Sequence, residues 1–185
     1  MTVIIVIILC GFLVLGFWSL NEREKTREAI ERINARKITL DDVMGKNFPA
    51  KPNEEINNAT VAGVDSNNNA IRDDVERAIF EKYPNSAKIR AAMLQYAQAL
   101  QLELTEVFNS ETLEEIFRKR NHGQSCIAQG LVFTVTDKRI DEVESLVLNI
   151  GIRKDKQLDN LKYMTTYSVP AVEEECDISP LSLPN

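Results

Sequence analysis

The first twenty residues carry a hydrophobic pattern that the rest of the chain lacks. Residues 3–20 contain no charged side chain and no polar stripe. A helix of this length covers roughly 27 Å, close to the hydrocarbon thickness of a bilayer. Trp18 lies at the far edge, where an indole ring suits the headgroup region. A cleaved signal starts with basic residues, and this chain has none there. The pattern therefore predicts an uncleaved transmembrane anchor over residues 1–20, which contacts membrane lipid through residues 3–20.

After residue 20 the apolar positions recur every three or four residues over most of the chain, as in amphipathic helices. The exception is a stretch rich in Gly, Pro and Asn that shows little periodicity. The pattern predicts an all-α fold, in which one N-terminal transmembrane helix is followed by a small helical domain. The expected segments are the anchor at 1–20, a helical stalk at 21–40, an irregular linker or arm at 41–64, a helical domain at 65–168 and an irregular C-terminal tail at 169–185.

The helical domain is predicted to begin with a short helix over residues 73–82. This helix should end before Pro84, because a residue preceding proline avoids helical dihedral angles. Asn85 or Ser86 is the expected cap of the next helix. That helix is expected to bury one apolar face. The face comprises Ile89, Met93, Tyr96, Leu100, Leu104 and Val107.

Glycines are expected to interrupt the helices of the second half. Gly123 and Gly130 weaken the helix that follows residue 110, and we expect them to break it in two. A further helix is predicted from Asp137 to a stop at Gly151, since glycine often terminates helices. A last helix is predicted near residues 154–164.

Residues 65–76 form the one motif in the chain with a recognisable chemistry. Numbered from 1 to 12, they place oxygen-bearing side chains at positions 1, 3, 5, 9 and 12, and a backbone carbonyl is available at position 7. This is the ligand plan of a Ca²⁺ loop, because the ion takes about six to eight hard oxygen ligands. The final Glu lies one turn into the next helix and can reach back with both of its oxygens. The candidate ligands are Asp65, Asn67, Asn69, Ile71, Asp73 and Glu76.

On these residues the segment resembles an EF-hand loop. It is also similar to the single Ca²⁺ loops of thrombospondin type 3 repeats and of uncharacterised bacterial secreted or membrane-anchored proteins. The resemblance to the bacterial proteins covers roughly residues 60–105. These resemblances imply Ca²⁺ as the cofactor, but they imply no biological role. The alternative interpretation is a loop without metal, in which Asn and Asp side chains hydrogen-bond the backbone and Asp73 caps the helix.

The loop departs from the EF-hand pattern at position 6, where Ala70 replaces the usual Gly. The backbone turns there with a positive φ, which costs an Ala residue on the order of 1 kcal/mol. Positions 3 and 5 carry Asn rather than Asp, which removes negative charge. We therefore expect weak binding, with a dissociation constant of roughly 10⁻⁴ to 10⁻³ M, as in extracellular modules.

Two patterns disagree about the orientation of the domain. Six Lys or Arg residues follow the anchor within residues 23–37 and none precedes it, which favours a cytoplasmic domain. Cys126 and Cys176 are the only cysteines beyond the anchor. If they form a disulfide, they indicate an oxidising compartment, and two free thiols are the alternative. A weak Ca²⁺ site is useful only outside the cytosol, so we favour an extracytoplasmic, periplasmic domain.

Composition and missing motifs exclude several functional classes. The net charge of −6 opposes binding to nucleic acid. His122 is the only histidine, and we expect it to be exposed because its neighbours in sequence are polar. Neither a histidine-based catalytic triad nor a zinc site is therefore predicted. No phosphate-binding loop is present. For these reasons we do not expect an enzyme. The alternative is an enzyme that uses clustered carboxylates, which would require a pocket lined by several of them away from the loop.

Two functional hypotheses follow from these patterns. The first is a membrane-anchored, extracytoplasmic protein in which a structural Ca²⁺ site stabilises a helical domain. The second is a membrane-tethered adaptor that faces the cytoplasm. In the second hypothesis the loop binds no metal, and the helical faces contact a protein partner that the sequence does not identify.

Overall fold

The computed structural model describes residues 20–129, 133–165 and 176–184. Within these ranges all regular structure is helical, which confirms the all-α class. The predicted anchor lies outside the described residues except for its last position. None of the described helices is both long enough and apolar enough to span a bilayer. The helices are α1 (20–35), α2 (Leu40–Met44), α3 (Glu54–Asn58), α4 (Asp73–Lys82), α5 (Ala87–Glu106), α6 (Ser110–Ala128), α7 (Phe133–Val147) and α8 (Gly151–Asn160), with 3₁₀ turns at Leu161–Tyr163 and Pro180–Ser182.

Helix α5 forms the centre of the domain, because side chains on all of its faces are buried. Its predicted apolar face is buried apart from Ile89, which is partly exposed. The prediction of a single buried face was incomplete, since α2, α4, α6, α7 and α8 all contact α5. The remaining faces therefore carry buried polar side chains. These are Arg90, Gln95, Gln98, Gln101 and Glu103.

Helix α6 folds back along α5, because only residues 107–109 connect the two helices. The side-chain oxygen of Asn109 caps α6 by accepting from the N–H of Thr112 at 2.9 Å. Gly123 does not break α6, contrary to the prediction. A Cβ atom at Gly123 would lie 2.9 Å from the Cα of Tyr96 in α5. The glycine therefore allows the two helices to approach closely.

The segments expected to be a stalk and an irregular arm both contain helices and pack on the domain. Ala29 and Ile33 of α1 have no exposed surface, and Ile33 joins an apolar cluster with residues of α5 and α6. Helix α3 and all but the first residue of α2 lie within the predicted arm. Thr39 and Asn53 directly precede the two helices and cap them, because their side chains accept hydrogen bonds from backbone N–H groups three residues later. Helices of five residues are too short to produce a readable apolar period.

Helix α7 ends at Val147, and an arginine rather than a glycine accounts for its end. The guanidinium group of Arg72 donates to the carbonyl oxygens of Leu146 and Val147 at 2.8 and 3.0 Å. Carbonyls in the last turn of a helix lack partners within the helix. Gly151, the expected stop, is instead the first residue of α8.

The C-terminal segment contacts the domain at Cys176. The Sγ atoms of Cys126 and Cys176 lie 2.10 Å apart, so the two cysteines are bonded. His122 lies one turn before Cys126 on α6 and is only 7 % exposed. The expectation that His122 is exposed was therefore wrong. The ring faces α5, where its Nδ1 atom lies 3.2 Å from the side-chain nitrogen of Gln95.

Arg153 joins the start of α8 to the segment that precedes the predicted Ca²⁺ loop. Its side chain is fully buried, and burial, with the charge of Arg72 adding to the effect, lowers its pKa to about 10. The guanidinium group is therefore still charged at neutral pH, and its hydrogen bonds are charge-assisted. Its acceptors are the carbonyl oxygens of Asn57, Thr60 and Val61 and the side-chain oxygens of Asn58 and Asn149.

We predict that Arg153→Ala lowers the free energy of unfolding by about 3–5 kcal/mol, because it leaves buried acceptors without donors. Lys154→Ala, at the next position on the same helix, is the matched control. Lys154 is exposed, so its loss should change stability by no more than about 0.5 kcal/mol. Urea unfolding of both variants checks the prediction. Equal stability of the two variants would contradict it.

Candidate metal centre

Residues 65–76 form a closed loop that leads into α4. The N–H of Asp73 donates to the carbonyl oxygen of Val64 at 2.8 Å, which brings the two ends of the loop together. Helix α4 begins at Asp73 and ends at Lys82, the bounds predicted from the sequence. Glu76 therefore lies one turn into a helix, where position 12 of an EF-hand loop lies.

Side-chain oxygens of the loop accept hydrogen bonds from its own backbone. Asp65 accepts from the N–H groups of Asn69 and Ala70 at 3.2 and 2.9 Å. Asp73 accepts from the N–H of Ser66 at 2.9 Å and does not cap α4, whose N-cap is the preceding residue. These bonds are typical of Asx turns, and they curve the chain so that alternate side chains face the same side.

The backbone of the loop has a positive φ at two non-glycine residues. Ala70 has φ +62°, in the left-handed region that position 6 of an EF-hand loop occupies. Asn68 has φ +57°, which a short polar side chain tolerates better. The Ala that replaces glycine at position 6 therefore adopts the required conformation, at a cost in strain.

The carboxylate of Glu76 is buried, and only one of its two oxygens accepts hydrogen bonds from described residues. Glu76 is 1 % exposed, and its Oε2 accepts from the side-chain amides of Asn67 and Asn69 at 3.0 and 3.1 Å. Its Oε1 is also buried, and it accepts no hydrogen bond from any residue that the structure describes. A buried carboxylate oxygen without a partner is costly, so a native structure needs a reason for it. A cation bound in the loop would supply that reason.

Negative charge is concentrated around this carboxylate. Burial raises the pKa of Glu76 to about 7, and the nearby carboxylates of Asp42 and Asp73 add to the rise. Burial also raises the pKa of Asp65, and Asp73 again contributes. Within the described ranges, no Lys or Arg forms an ion pair with any of these four carboxylates. Their mutual repulsion favours a positive ion between them.

Residues outside the motif hold the loop in place, and sequence reasoning did not identify them. Gln98 donates to the carbonyl oxygen of Asn69 at 2.8 Å, and Gln101 donates to that of Ala62 at 2.8 Å. Arg36, which directly follows α1, donates to the carbonyl oxygen of Asn68 at 2.7 Å. The only signal in the sequence is that Gln98 and Gln101 are polar positions three residues apart in a helix that is otherwise largely apolar.

The structure brings the predicted ligand residues together at one end of α4. The side chains of Asn67, Asn69 and Glu76 are in direct contact, and Asp65 and Asp73 bond the backbone between them. Ile71, at position 7 of the loop, has its side chain buried in the core. Its carbonyl oxygen accepts no hydrogen bond from the described residues, so it is available to a cation.

Comparison with protein-family models, with curated proteins and with solved structures found no match to this chain.

We predict that Ala70→Gly raises the free energy of unfolding by about 0.5 kcal/mol. Glycine relieves the strain of the left-handed backbone at this position, which raises the free energy of unfolding. This gain should exceed the two opposing contributions, which are the greater conformational entropy of the unfolded chain and the loss of one partly buried methyl group. Ala78→Gly in the middle of α4 is the matched control, and it should lower stability by about 1 kcal/mol. Chemical unfolding in the presence of a chelator measures both. Equal losses in the two variants would show that Ala70 is not strained.

The raised pKa of Glu76 predicts a pH dependence of stability in the presence of a chelator. The folded carboxyl group binds its proton more tightly than the unfolded one, whose pKa is near 4.5. The protonated Glu76 therefore contributes to the free energy of unfolding, and this contribution is complete below pH 4.5. It is lost as the pH rises to about 7. In Glu76→Gln this loss should disappear. The test is the difference in unfolding free energy between parent and variant as a function of pH, and a flat difference would contradict the prediction.

Proposed function

We propose that residues 65–76 bind one Ca²⁺ ion and that the ion has a structural role. The observation that carries this proposal is the buried Oε1 atom of Glu76, which lacks a hydrogen-bond partner among the described residues. A carboxylate at this position binds Ca²⁺ with both oxygens, so the ion would satisfy Oε1 and Oε2 together. Asp65 and Asp73 would supply further charge. The carboxamides of Asn67 and Asn69 would supply oxygens after rotation about their last side-chain torsion.

Bound Ca²⁺ would stabilise a junction at which several helices meet. Arg36, directly after α1, and two side chains of α5 donate to the carbonyl groups of residues 62, 68 and 69. The side-chain amide of Asn67 also donates to the carbonyl oxygen of Asn47 at 3.2 Å, in the segment after α2. An ion that fixes the loop would therefore fix the positions of α1, α4 and α5 and of the arm. We infer a stabilised scaffold rather than an enzyme.

We further propose that residues 1–20 anchor the chain in a membrane and that the domain is extracytoplasmic. The apolar sequence of residues 3–20 supports the anchor. The disulfide that joins Cys126 to Cys176 supports an oxidising compartment. Weak Ca²⁺ binding agrees with the same side of the membrane, because extracellular Ca²⁺ is in the concentration range that such a site needs.

The melting temperature of the full chain in detergent micelles tests Ca²⁺ binding. The full chain is required because α1 packs on the domain. With a dissociation constant of roughly 10⁻⁴ to 10⁻³ M, Ca²⁺ at about 10 mM should raise the melting temperature by roughly 3–10 °C relative to chelator. Mg²⁺ at the same concentration should have a smaller effect, because it demands octahedral geometry and keeps several of its waters.

Two Glu→Gln variants on α4 form a matched pair for this test. Glu76→Gln removes the ligand charge and should abolish the response to Ca²⁺. Glu81 is exposed and pairs with Arg77 on the same helix, so Glu81→Gln should keep the full response. If Ca²⁺ shifts neither the parent nor Glu81→Gln, the loop does not bind the ion. If it shifts all three proteins equally, the ion binds elsewhere.

A further inference from the structure

His122, Cys126 and Cys176 form a second cluster of metal-ligating side chains, separate from residues 65–76. One ligand atom from each lies within 4.8 Å of the other two, and all three residues are buried. His122 and Cys126 are four residues apart on α6, which places them on one helix face. The third member comes from the C-terminal segment. The cluster borders a cleft of about 440 Å³, which His122 and Asp177 help to line.

We propose that reduction of the Cys126–Cys176 disulfide creates a Zn²⁺ site, formed by the two thiolates and the imidazole of His122. Zn²⁺ takes sulfur and nitrogen ligands in tetrahedral geometry, so a water molecule from the cleft would occupy the fourth position. Ca²⁺ prefers oxygen ligands, so this site and the loop at residues 65–76 select different ions. The redox state of the cysteine pair would then decide whether the chain binds zinc.

The chemistry of this switch balances in two steps. A dithiol reductant gives two electrons to the protein disulfide, so the S–S bond breaks, two protein thiols form and the reductant becomes a disulfide. Zn²⁺ then replaces the two thiol protons, which pass to solvent, and accepts a lone pair from the imidazole. The ion and two thiolates carry no net charge, which limits the desolvation cost of a buried site.

The segment that carries Cys176 is attached to the domain by contacts other than the disulfide. The N–H of Asp177 donates to the side-chain oxygen of Gln95 at 3.1 Å, and the Asp177 carboxylate accepts from the N–H of Ile38 at 2.9 Å. Both bonds can persist when the S–S bond is broken. The sulfur atoms need to separate only to about 3.8 Å, the spacing of two thiolates on a tetrahedral Zn²⁺ with bonds of about 2.3 Å. The reduced pair therefore remains close enough to share one ion.

Gln95 is placed to orient the His122 ring. Its side-chain oxygen accepts from Asp177, so its nitrogen faces Nδ1 of His122 and donates to it at 3.2 Å. This assigns the ring proton to Nε2 in the oxidised protein. When Nε2 binds the metal, the proton moves to Nδ1, and rotation of the Gln95 carboxamide lets its oxygen accept from that N–H. Metal-bound histidines commonly make such a hydrogen bond.

The test compares oxidised and phosphine-reduced full chain in detergent micelles, because a phosphine reduces the disulfide without adding competing thiols. The reduced chain should bind one Co²⁺ with a sulfur-to-cobalt charge-transfer band, and Zn²⁺ should displace the Co²⁺. About two protons should be released per Zn²⁺ at a pH where free thiols are protonated. Zn²⁺ at about 100 times its dissociation constant should raise the melting temperature of the reduced chain by roughly 5–10 °C. The oxidised chain should show none of these effects.

His122→Asn separates the proposed site from a simple dithiol chelate. Asn can still accept from Gln95, and an unchanged melting temperature of the oxidised variant shows that it folds. Its reduced form should bind Zn²⁺ at least about tenfold more weakly, because one of three protein ligands is lost. Glu81→Gln, at an exposed position of α4, is the control and should bind Zn²⁺ like the parent.

X-ray absorption at the zinc edge of the parent gives an answer that does not depend on any variant. Two sulfur atoms at about 2.3 Å and nitrogen or oxygen ligands at about 2.0 Å are expected. Absence of the sulfur-to-cobalt band in the reduced parent would overturn the proposal. Zinc ligation without sulfur, or unchanged Zn²⁺ affinity in a folded His122→Asn, would overturn it as well.

Discussion

Backbone carbonyl groups between α3 and α4 set the main constraint on this structure. The stretch from residue 57 to residue 69 is largely non-helical, so most of its carbonyl oxygens need partners from elsewhere. Arg153, Gln101 and Gln98 provide those partners from α8 and α5. Buried donors and buried carbonyls are both costly when unpaired. The buried side chains of α5 and α8 and the carbonyls of this stretch therefore satisfy each other's hydrogen bonds. Gln98 and Gln101 are buried in α5 for this purpose, and they are part of the reason that α5 is not a one-sided amphipathic helix.

The same stretch leads into a loop in which Asp65, Asp73 and Glu76 have no cationic partner among the described residues. Arg72 lies within the loop, yet it pairs with Asp74 and with the end of α7 and leaves Glu76 without a cation. Two carboxamides donate to one oxygen of Glu76, and the other oxygen has no described donor. Hydrogen bonds from neutral amides offset only part of the cost of a buried carboxylate. A divalent cation with oxygen ligands fits both the charge and the donor set.

Features encoded in adjacent residues could be predicted from the sequence, and features that depend on distant contacts could not. The start of α4 at Asp73 depends on local spacing and agrees with the structure. The end of α7 was misplaced because Arg72, more than seventy positions earlier, satisfies its last carbonyls. His122 was misjudged because its neighbours in sequence are polar, whereas its position on α6 faces α5. The close contact of Gly123 with Tyr96 has no signature in the sequence, since a glycine within a helix more often weakens it.

A structure of the full chain determined in millimolar Ca²⁺ is the decisive test of the Ca²⁺ site. We expect one ion held by both carboxylate oxygens of Glu76 at about 2.3–2.6 Å. Its further ligands should be Asp65, the carbonyl oxygen of Ile71 and the carboxamide oxygens of Asn67 and Asn69. Asp73 would bind directly or through a water molecule. An ordered loop in which both carboxamides still donate to Glu76, with no ion beside its Oε1 atom, would contradict the account.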